Sequence, residues 1–185
     1  YIVDVGANRG QFALISRKVF PSASIHSFEP LEEPAEIFKK VFAGDESVTL
    51  HPYAIGPQVS TSVIHVSSAD DSSSLLPITS LQTQLYPGTG ERETRQVQVF
   101  PLSQVLDKEI IPPSSLLKLD VQGYELEVLK GCESILNKFS YTYIECSFIE
   151  LYKGQALAHS IIAWLKDRNF ILTGVYNLSY DSRGK

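Results

Sequence analysis

The chain has 185 residues, 43% of them apolar and 20% charged, with a formal net charge of −5. That length and balance predict one domain with a real core, and exclude general disorder. The lack of a Lys/Arg-rich run counts against nucleic acid as the main partner, and no apolar run approaches the ~18–20 residues of a membrane span.

No signal-peptide pattern is visible. The two cysteines, Cys132 and Cys146, match no zinc or redox spacing, and read as reduced thiols of a cytoplasmic protein. The four histidines show no metal-ligand pattern, so no metal is assigned. The chain starts inside a strand-like run and holds no methionine, which reads as a piece trimmed at its N-terminus.

Strand-like and helix-like runs alternate from the first residue. "YIVDVG" (1–6) predicts a buried strand and "GQFALISRKVF" (10–20) a helix. "SIHSFEP" (24–30) predicts a second strand ended by Pro30, "PAEIFKKVFAG" (34–44) a helix closed by Gly44, and "VTLHPYAIG" (48–56) a third strand. The rhythm then breaks at 60–100. Strands are expected at 60–68 and 94–102, around a polar stretch rich in Ser, Thr, Gly and Pro at 69–93. A stretch this long is functional or disordered. Alternation resumes with strands at 115–123 and 141–148 and helices at 124–137 and 156–169. The first of these helices has Leu126, Leu129, Cys132 and Leu136 on one face, and the second buries Leu157, Ile161 and Leu165. "FILTGVYNLSY" (170–180) predicts a last strand. The whole is an α/β fold: a mainly parallel sheet with helices on both faces, in a single domain over 1–185 with an inserted region at about 60–100.

In such folds ligands bind beyond the carboxyl ends of the strands. There the first turn, "DVGANRG", departs from the dinucleotide fingerprint G-x-G-x-x-G, because Asn8 stands at the middle glycine between Gly6 and Gly10. Asp4 beneath the turn would repel a pyrophosphate and suit a cationic ligand. Glu29 ends the second strand 23 positions after Gly6, near the ~20 expected of a ribose-binding acid. An adenosine joined to a positively charged methionine end, as in S-adenosylmethionine, meets both demands. A nicotinamide-dependent oxidoreductase and a non-catalytic nucleoside-binding module are the rival readings.

Three blocks, "DVGANRGQF" (4–12), "FEP" (28–30) and "LKLDVQGYELEVLKG" (117–131), resemble the FkbM family of S-adenosylmethionine-dependent methyltransferases. "AIG" (54–56), "SSSL" (72–75) and Glu145 fit more loosely. The resemblance implies a class I methyltransferase, Rossmann-like sandwich and O-methylation of a sugar, glycan or small secondary-metabolite hydroxyl. It carries a cofactor role to Asp4, Gly6, Ala7, Asn8, Gly10, Phe12, Glu29, Pro30, Ala54 and Asp120. The class I sheet has seven strands in the order 3-2-1-4-5-7-6. Six are countable here, so the terminal strand is expected to be missing after a turn at 180–185.

For the chemistry, Asp120 at the end of the strand 115–123 is a general base, a divalent-metal ligand, a group orienting the methionine end, or simply a helix N-cap. Glu145 and then Glu125 are the next candidate bases. Lys118, unusual in a buried strand, either joins the catalytic set or neutralises Asp120 or Glu145.

Overall fold

The computed structural model describes residues 1–180. The chain opens with β1 (Ile2–Val5), α1 (Gln11–Val19), β2 (Ile25–Phe28), α2 (Glu32–Val41) and β3 (Val48–His51). Next comes β4 (Ala54–Ile55), then the region at about 60–100 with β5 (Ser60–Ser67), α3 (Ser80–Leu85) and β6 (Glu91–Phe100), and after it α4 (Leu102–Val105). The last part is β7 (Ser115–Leu119), α5 (Glu125–Cys132), β8 (Phe139–Ile144) and α6 (Ala158–Lys166).

The central sheet is parallel throughout, in the order β3-β2-β1-β7-β8. Alternation along β1 and β7 divides its side chains between two cores. Ile2, Ile25, Ala13, Phe38 and Phe42 form the core beneath α1 and α2. Val3, Val5, Phe28, Leu117 and Leu119 point the other way, onto α4, α5 and α6 through Leu102, Val128, Leu129, Cys132 and Ile161. Helices thus cover both faces, and the helical stripes expected from 124–137 and 156–169 are core packing.

The region at 60–100 is folded. β5 and β6 pair antiparallel from Ser60↔Val99 to Ser67↔Glu91, and β4 joins them as a parallel third strand. Ile64, Val66, Val97 and Val99 pack on Leu31 and Ala54, which seats the small sheet beside the end of β2. The polar stretch 69–93 contains a 3₁₀ turn at 70–72, α3 and the start of β6. Thr79 Oγ1 donates to the Leu151 carbonyl at 2.7 Å, and Lys153 N to the Pro77 carbonyl at 2.8 Å, pinning the stretch to the loop after β8.

Several boundaries differ from the sequence expectation. The strand expected at 48–56 is two strands in two sheets, because Pro52 has no N–H for a ladder. α2 begins at Glu32, with Pro34 inside its first turn, where a missing N–H costs nothing. The helix expected at 124–137 is α5 followed by a 3₁₀ segment, Glu133–Lys138. The strand expected at 170–180 is corrected: those residues form no ladder, and Ile171 and Tyr176 are 84% and 67% exposed. An alternating run becomes a strand only when a ladder pairs it, and its hydrogen bond to β8 is between side chains, Asn177 Nδ2 donating to the Tyr143 hydroxyl at 3.2 Å. The described sheet therefore has five strands, not six, and among the described residues nothing pairs with the outer edge of β8, where Tyr141 and Tyr143 are exposed. The turn expected after Tyr180 lies outside the described residues.

Two features of the packing make checkable statements. A Cβ at Gly131 in α5 would run into the Gly56 carbonyl oxygen just after β4. Gly131→Ala is therefore expected to destabilise by about 1–3 kcal/mol through overpacking, seen as a lower urea midpoint with an unchanged slope; an unaltered midpoint would show that the two backbones are free to separate.

Between β2 and β3, His26 Nδ1 lies 3.2 Å from His51 Nε2, and the His51 ring stacks on Phe28 at 4.5 Å. Burial, and secondly the neighbouring His26, push the His51 imidazole down to about 4. A depressed folded value means that the unfolded chain takes up this proton first as pH falls. The contribution of His51 to stability is present above about pH 6.5 and is lost as pH drops towards the folded value near 4. NMR titration should find the His51 ring still neutral at about pH 5, and His51→Phe should flatten the fall in melting temperature between these limits. A midpoint near the ordinary imidazole value would contradict this.

Candidate active site

The register of the central sheet creates the site. Val5 pairs with Phe28 and with Leu119, Phe28 with His51, and Leu119 with Ile144. The next residue on each of β1, β2, β7 and β8 is Gly6, Glu29, Asp120 and Glu145. These four extend the same rows: Gly6 N donates to Phe28 O at 3.1 Å, Glu29 N to His51 O at 3.1 Å, Asp120 N to Val5 O at 3.1 Å and Glu145 N to Leu119 O at 2.9 Å. Strand pairing alone thus sets three carboxylates and a glycine along one sheet edge.

A cavity of about 350 Å³ opens there, within the size range of small-molecule sites. Gly6, Ala7, Asn8, Gln11 and Phe12 form its floor with Glu29, Pro30 and Leu31. Ala54 and Ile55 come from β4, Ile64, Asp71, Ser73, Ser74 and Leu75 from the inserted region, and Lys118, Asp120, Val121, Gln122, Tyr124 and Tyr143 from the β7–β8 side. The cavity therefore lies between the central sheet and the insertion.

The glycine turn is shaped by contact. Gly6 has φ +79°, and a Cβ there would strike the Asp120 carbonyl oxygen, so the turn closes only without a side chain. Asn8 has φ +48°, a left-handed conformation that Asn tolerates. Its N–H donates to Glu29 Oε2 at 2.9 Å, while Glu29 Oε1 accepts the Leu31 N–H at 2.9 Å. Glu29 therefore ties the turn after β1 to the start of α2. Burial pushes its carboxyl up to about 7, although both backbone bonds favour the charged form. The Asn8 N–H, which a pyrophosphate would need, is directed at this carboxylate.

Lys118 occupies the centre. It is 5% exposed; Nζ donates to the Gly6 carbonyl at 2.8 Å and lies 3.0 Å from Asp4 Oδ1 and 3.5 Å from Asp120 Oδ2. Burial would lower its pKa, but Asp4 and Asp120 together raise it, so it stays an ammonium ion. Asp4 is 0% exposed and does not line the cavity. Burial raises its carboxyl and Lys118 offsets part of that. The cation facing Asp4 is Lys118, not a ligand, which corrects the expectation of a direct contact. Gly10 also lies off the cavity, its Cα against Phe38 and Phe42. Lys118 has the neutralising role, toward Asp4 and Asp120.

Asp120 reaches the cavity. Burial works against its charge, yet hydrogen bonding with Glu145 and the nearby Lys118 outweigh this and hold the carboxyl below the ordinary value. Burial and the Asp120 charge push Glu145 up to about 9, and solvent on its open side tempers that shift. The pair thus carries one proton near neutrality, with the negative charge on Asp120. Asp120 is not a helix cap: α5 starts at Glu125, and its N-terminal residue, Tyr124, makes no side-chain cap. Glu125, the third candidate base, turns inward and accepts the N–H groups of Val121 and Gly123 at 3.1 and 3.0 Å. It holds the loop and does not line the cavity. Among the described residues, no cluster of three or more His, Cys, Asp or Glu side chains is arranged to hold a metal ion.

Gln122 and Tyr124 lie in the block 117–131 that the sequence singled out, without a role of their own there, and sequence reasoning missed Tyr143 and Tyr152. Tyr143 stacks on Phe12 across the cavity at 6.1 Å, and the tyrosines of "YTYIEC" were its only signal. Ser74, noted only within a loose block, sits in the wall and donates to the Gln122 carbonyl at 2.7 Å.

Comparison with known proteins agrees with this architecture. The pattern of the Methyltransferase FkbM domain matches residues 4–172. The chain is similar to the methyltransferase sdnD of Sordaria araneosa, at 25% identity over 94% of this chain and 74% of that protein. It is similar to the 2-O-methyltransferase NoeI of Sinorhizobium fredii, at 26% identity over 87% of this chain and 69% of that one. Its fold matches a crystal structure of an FkbM methyltransferase from Methylobacillus flagellatus with a TM-score of 0.53 and 16% identity, over 78% of this chain and 32% of that one. A five-stranded parallel sheet whose carboxyl edge carries the glycine turn, Glu29 and Asp120, matched over residues 4–172 by that domain pattern, places the chain in the FkbM methyltransferase family.

Proposed function

We propose that the chain is an S-adenosylmethionine-dependent O-methyltransferase acting on a hydroxyl of a sugar, a glycan or a small secondary metabolite. The observation that carries the reading is the row of strand ends, where a side-chain-free turn at Gly6, a buried acid at Glu29 and an ionised Asp120 face one cavity. The residues fit the cofactor on charge as well as shape. Among the described residues that line the cavity, Lys118 is the only cation, and it is held by Asp4, Asp120 and the Gly6 carbonyl. Such a lining favours a ligand with an ammonium and a sulfonium over a pyrophosphate. Gly6, Ala7, Asn8, Phe12, Glu29, Pro30 and Ala54 would hold it, with Glu29 on the ribose hydroxyls and Asp120 near the methionine end.

The cofactor supplies an electrophilic methyl group. The rest falls to the chain: it aligns the acceptor hydroxyl and takes its proton. Asp120 is charged near neutrality and reaches the cavity, so it is the base in this reading. Tyr143, Phe12 and Tyr124 offer aromatic faces to an acceptor, and Ser73 and Ser74 lie in the facing wall. The name of the relative NoeI, a 2-O-methyltransferase, supports a hydroxyl acceptor. Both cysteines are free, which accords with a reducing compartment such as the cytoplasm, and no described helix is long and apolar enough to cross a membrane.

Calorimetry separates this reading from its rivals: S-adenosylhomocysteine should bind and NAD⁺ should not. Glu29→Ala should weaken S-adenosylhomocysteine binding roughly 10-fold or more, the ~1.5–3 kcal/mol of charge-assisted hydrogen bonds; wild-type affinity would remove Glu29 from the ribose. Once a screen of glycans and hydroxylated metabolites has supplied an acceptor, Asp120→Asn should cut turnover by ~10²–10⁴ with near-normal cofactor binding. Loss of binding instead would assign Asp120 to the methionine end.

A further inference from the structure

Gln122 has a geometry that cofactor binding and proton removal leave unexplained. Its backbone is left-handed, φ +55°, which is uncommon for a residue with a long side chain. Its amide reaches two carboxyls at once: Nε2 lies 2.8 Å from Asp120 Oδ1 and 2.6 Å from Glu145 Oε2. An amide nitrogen carries two hydrogens, enough for one bond to each. On the other side, Gln122 Oε1 accepts from the Tyr152 hydroxyl at 2.9 Å, and that hydroxyl also lies 3.0 Å from the Ser72 carbonyl. Tyr152 is 1% exposed. The Gln122 carbonyl accepts the Ser74 hydroxyl at 2.7 Å. One residue thus touches both acids of the pair and the inserted segment that walls the cavity.

We propose that Gln122 is a positioning residue that clamps the Asp120 and Glu145 carboxyls into one pair and, through Tyr152 and Ser74, makes the setting of that pair depend on the placement of residues 72–74. The clamp rests on the reading of Asp120 as the base. Its logic is electrostatic. Two adjacent carboxylates repel, whereas a neutral donor bonded to both holds them together and favours the charged form of Asp120. The other charged or titratable groups facing the pair are Asp4 from β1, Lys118 from β7, Glu125 from α5, Cys146 after β8 and Tyr152, and Asp71 faces Tyr152 in turn. Lys118 and Glu125 are committed to Asp4 and to the loop N–H groups. In consequence, acceptor binding against the 72–75 wall and the basicity of Asp120 are mechanically linked: displacing the wall loosens the tyrosine latch, and with it the amide.

The test needs no acceptor. Carboxyl ¹³C NMR titration of the full chain reads Asp120 and Glu145 directly. In Gln122→Leu, which keeps the bulk and removes the donors, the Asp120 midpoint should rise by about one to two pH units, the worth of one hydrogen bond to a charged group. Tyr152→Phe keeps Gln122 and cuts the latch; it should shift Asp120 the same way by less, and speed amide hydrogen exchange at 72–74. If Gln122→Leu does not fold, Tyr152→Phe decides alone. An unchanged Asp120 midpoint in a folded Gln122→Leu, or in Tyr152→Phe when that variant stands alone, overturns the proposal. Failure of the wild-type protein to bind S-adenosylhomocysteine would instead sink the methyltransferase reading while leaving these midpoints readable.

Discussion

One buried ammonium, that of Lys118, has to serve three oxygens: the carboxylates of Asp4 and Asp120 and the carbonyl of Gly6. Removing it would leave Asp4, fully enclosed, as an uncompensated charge, a far more costly state than the paired one. It would also release the carbonyl at the apex of the glycine turn and the partner that helps to keep Asp120 ionised. The ion lies over the Phe12 ring at 5.6 Å, so the face of α1 that floors the cavity also lies against it. The glycine turn, the cavity floor and the Asp120 carboxylate are held in register by a single charge inside the sheet.

Much of this edge was legible in the sequence because it is local. A strand, a glycine and an acid in a row are read directly, and parallel pairing then aligns β1, β2, β7 and β8 without further information. Gly6, Glu29 and Asp120 stand at the strand ends facing the cavity for that reason. Lys118 was visible as an anomaly, an ammonium among leucines, and its partner Asp4 sits opposite it in the ladder. What the sequence could not disclose are contacts made across long separations. Tyr152 meets Ser72 across 80 residues and Gln122 across 30, and no motif spans such distances. Asp4 misled for a related reason: its acidity was plain, but the cation it faces came from another strand. The run 170–180 misled in the opposite sense, since its alternation is genuine but a strand is a property of two segments.

The inserted sheet is more than an excursion on the surface. It lends the cavity a wall through Ile64, Ser73, Ser74 and Leu75, and it is fastened at two ends. At one end the backbone of α5 meets the carbonyl of Gly56 with no room for a side chain. At the other, Tyr152 and Thr79 bind the stretch 70–80 to the loop after β8. The region that breaks the α/β rhythm is thereby joined to the two elements, α5 and β8, that flank the acid pair.

The outer edge of β8, unpaired among the described residues, bears on how the chain behaves in concentrated solution. An edge strand offers unpaired N–H and C=O groups as a template for another extended segment, and proteins commonly guard such edges with lysine or proline. β8, "FSYTYI", carries neither and exposes Tyr141 and Tyr143. The apolar residues Ile171, Leu172, Val175 and Tyr176 are exposed in the same molecule and belong to no ladder. Pairing of that edge with another copy would be opposed by the net negative charge, and salt, which screens that charge, would weaken the opposition.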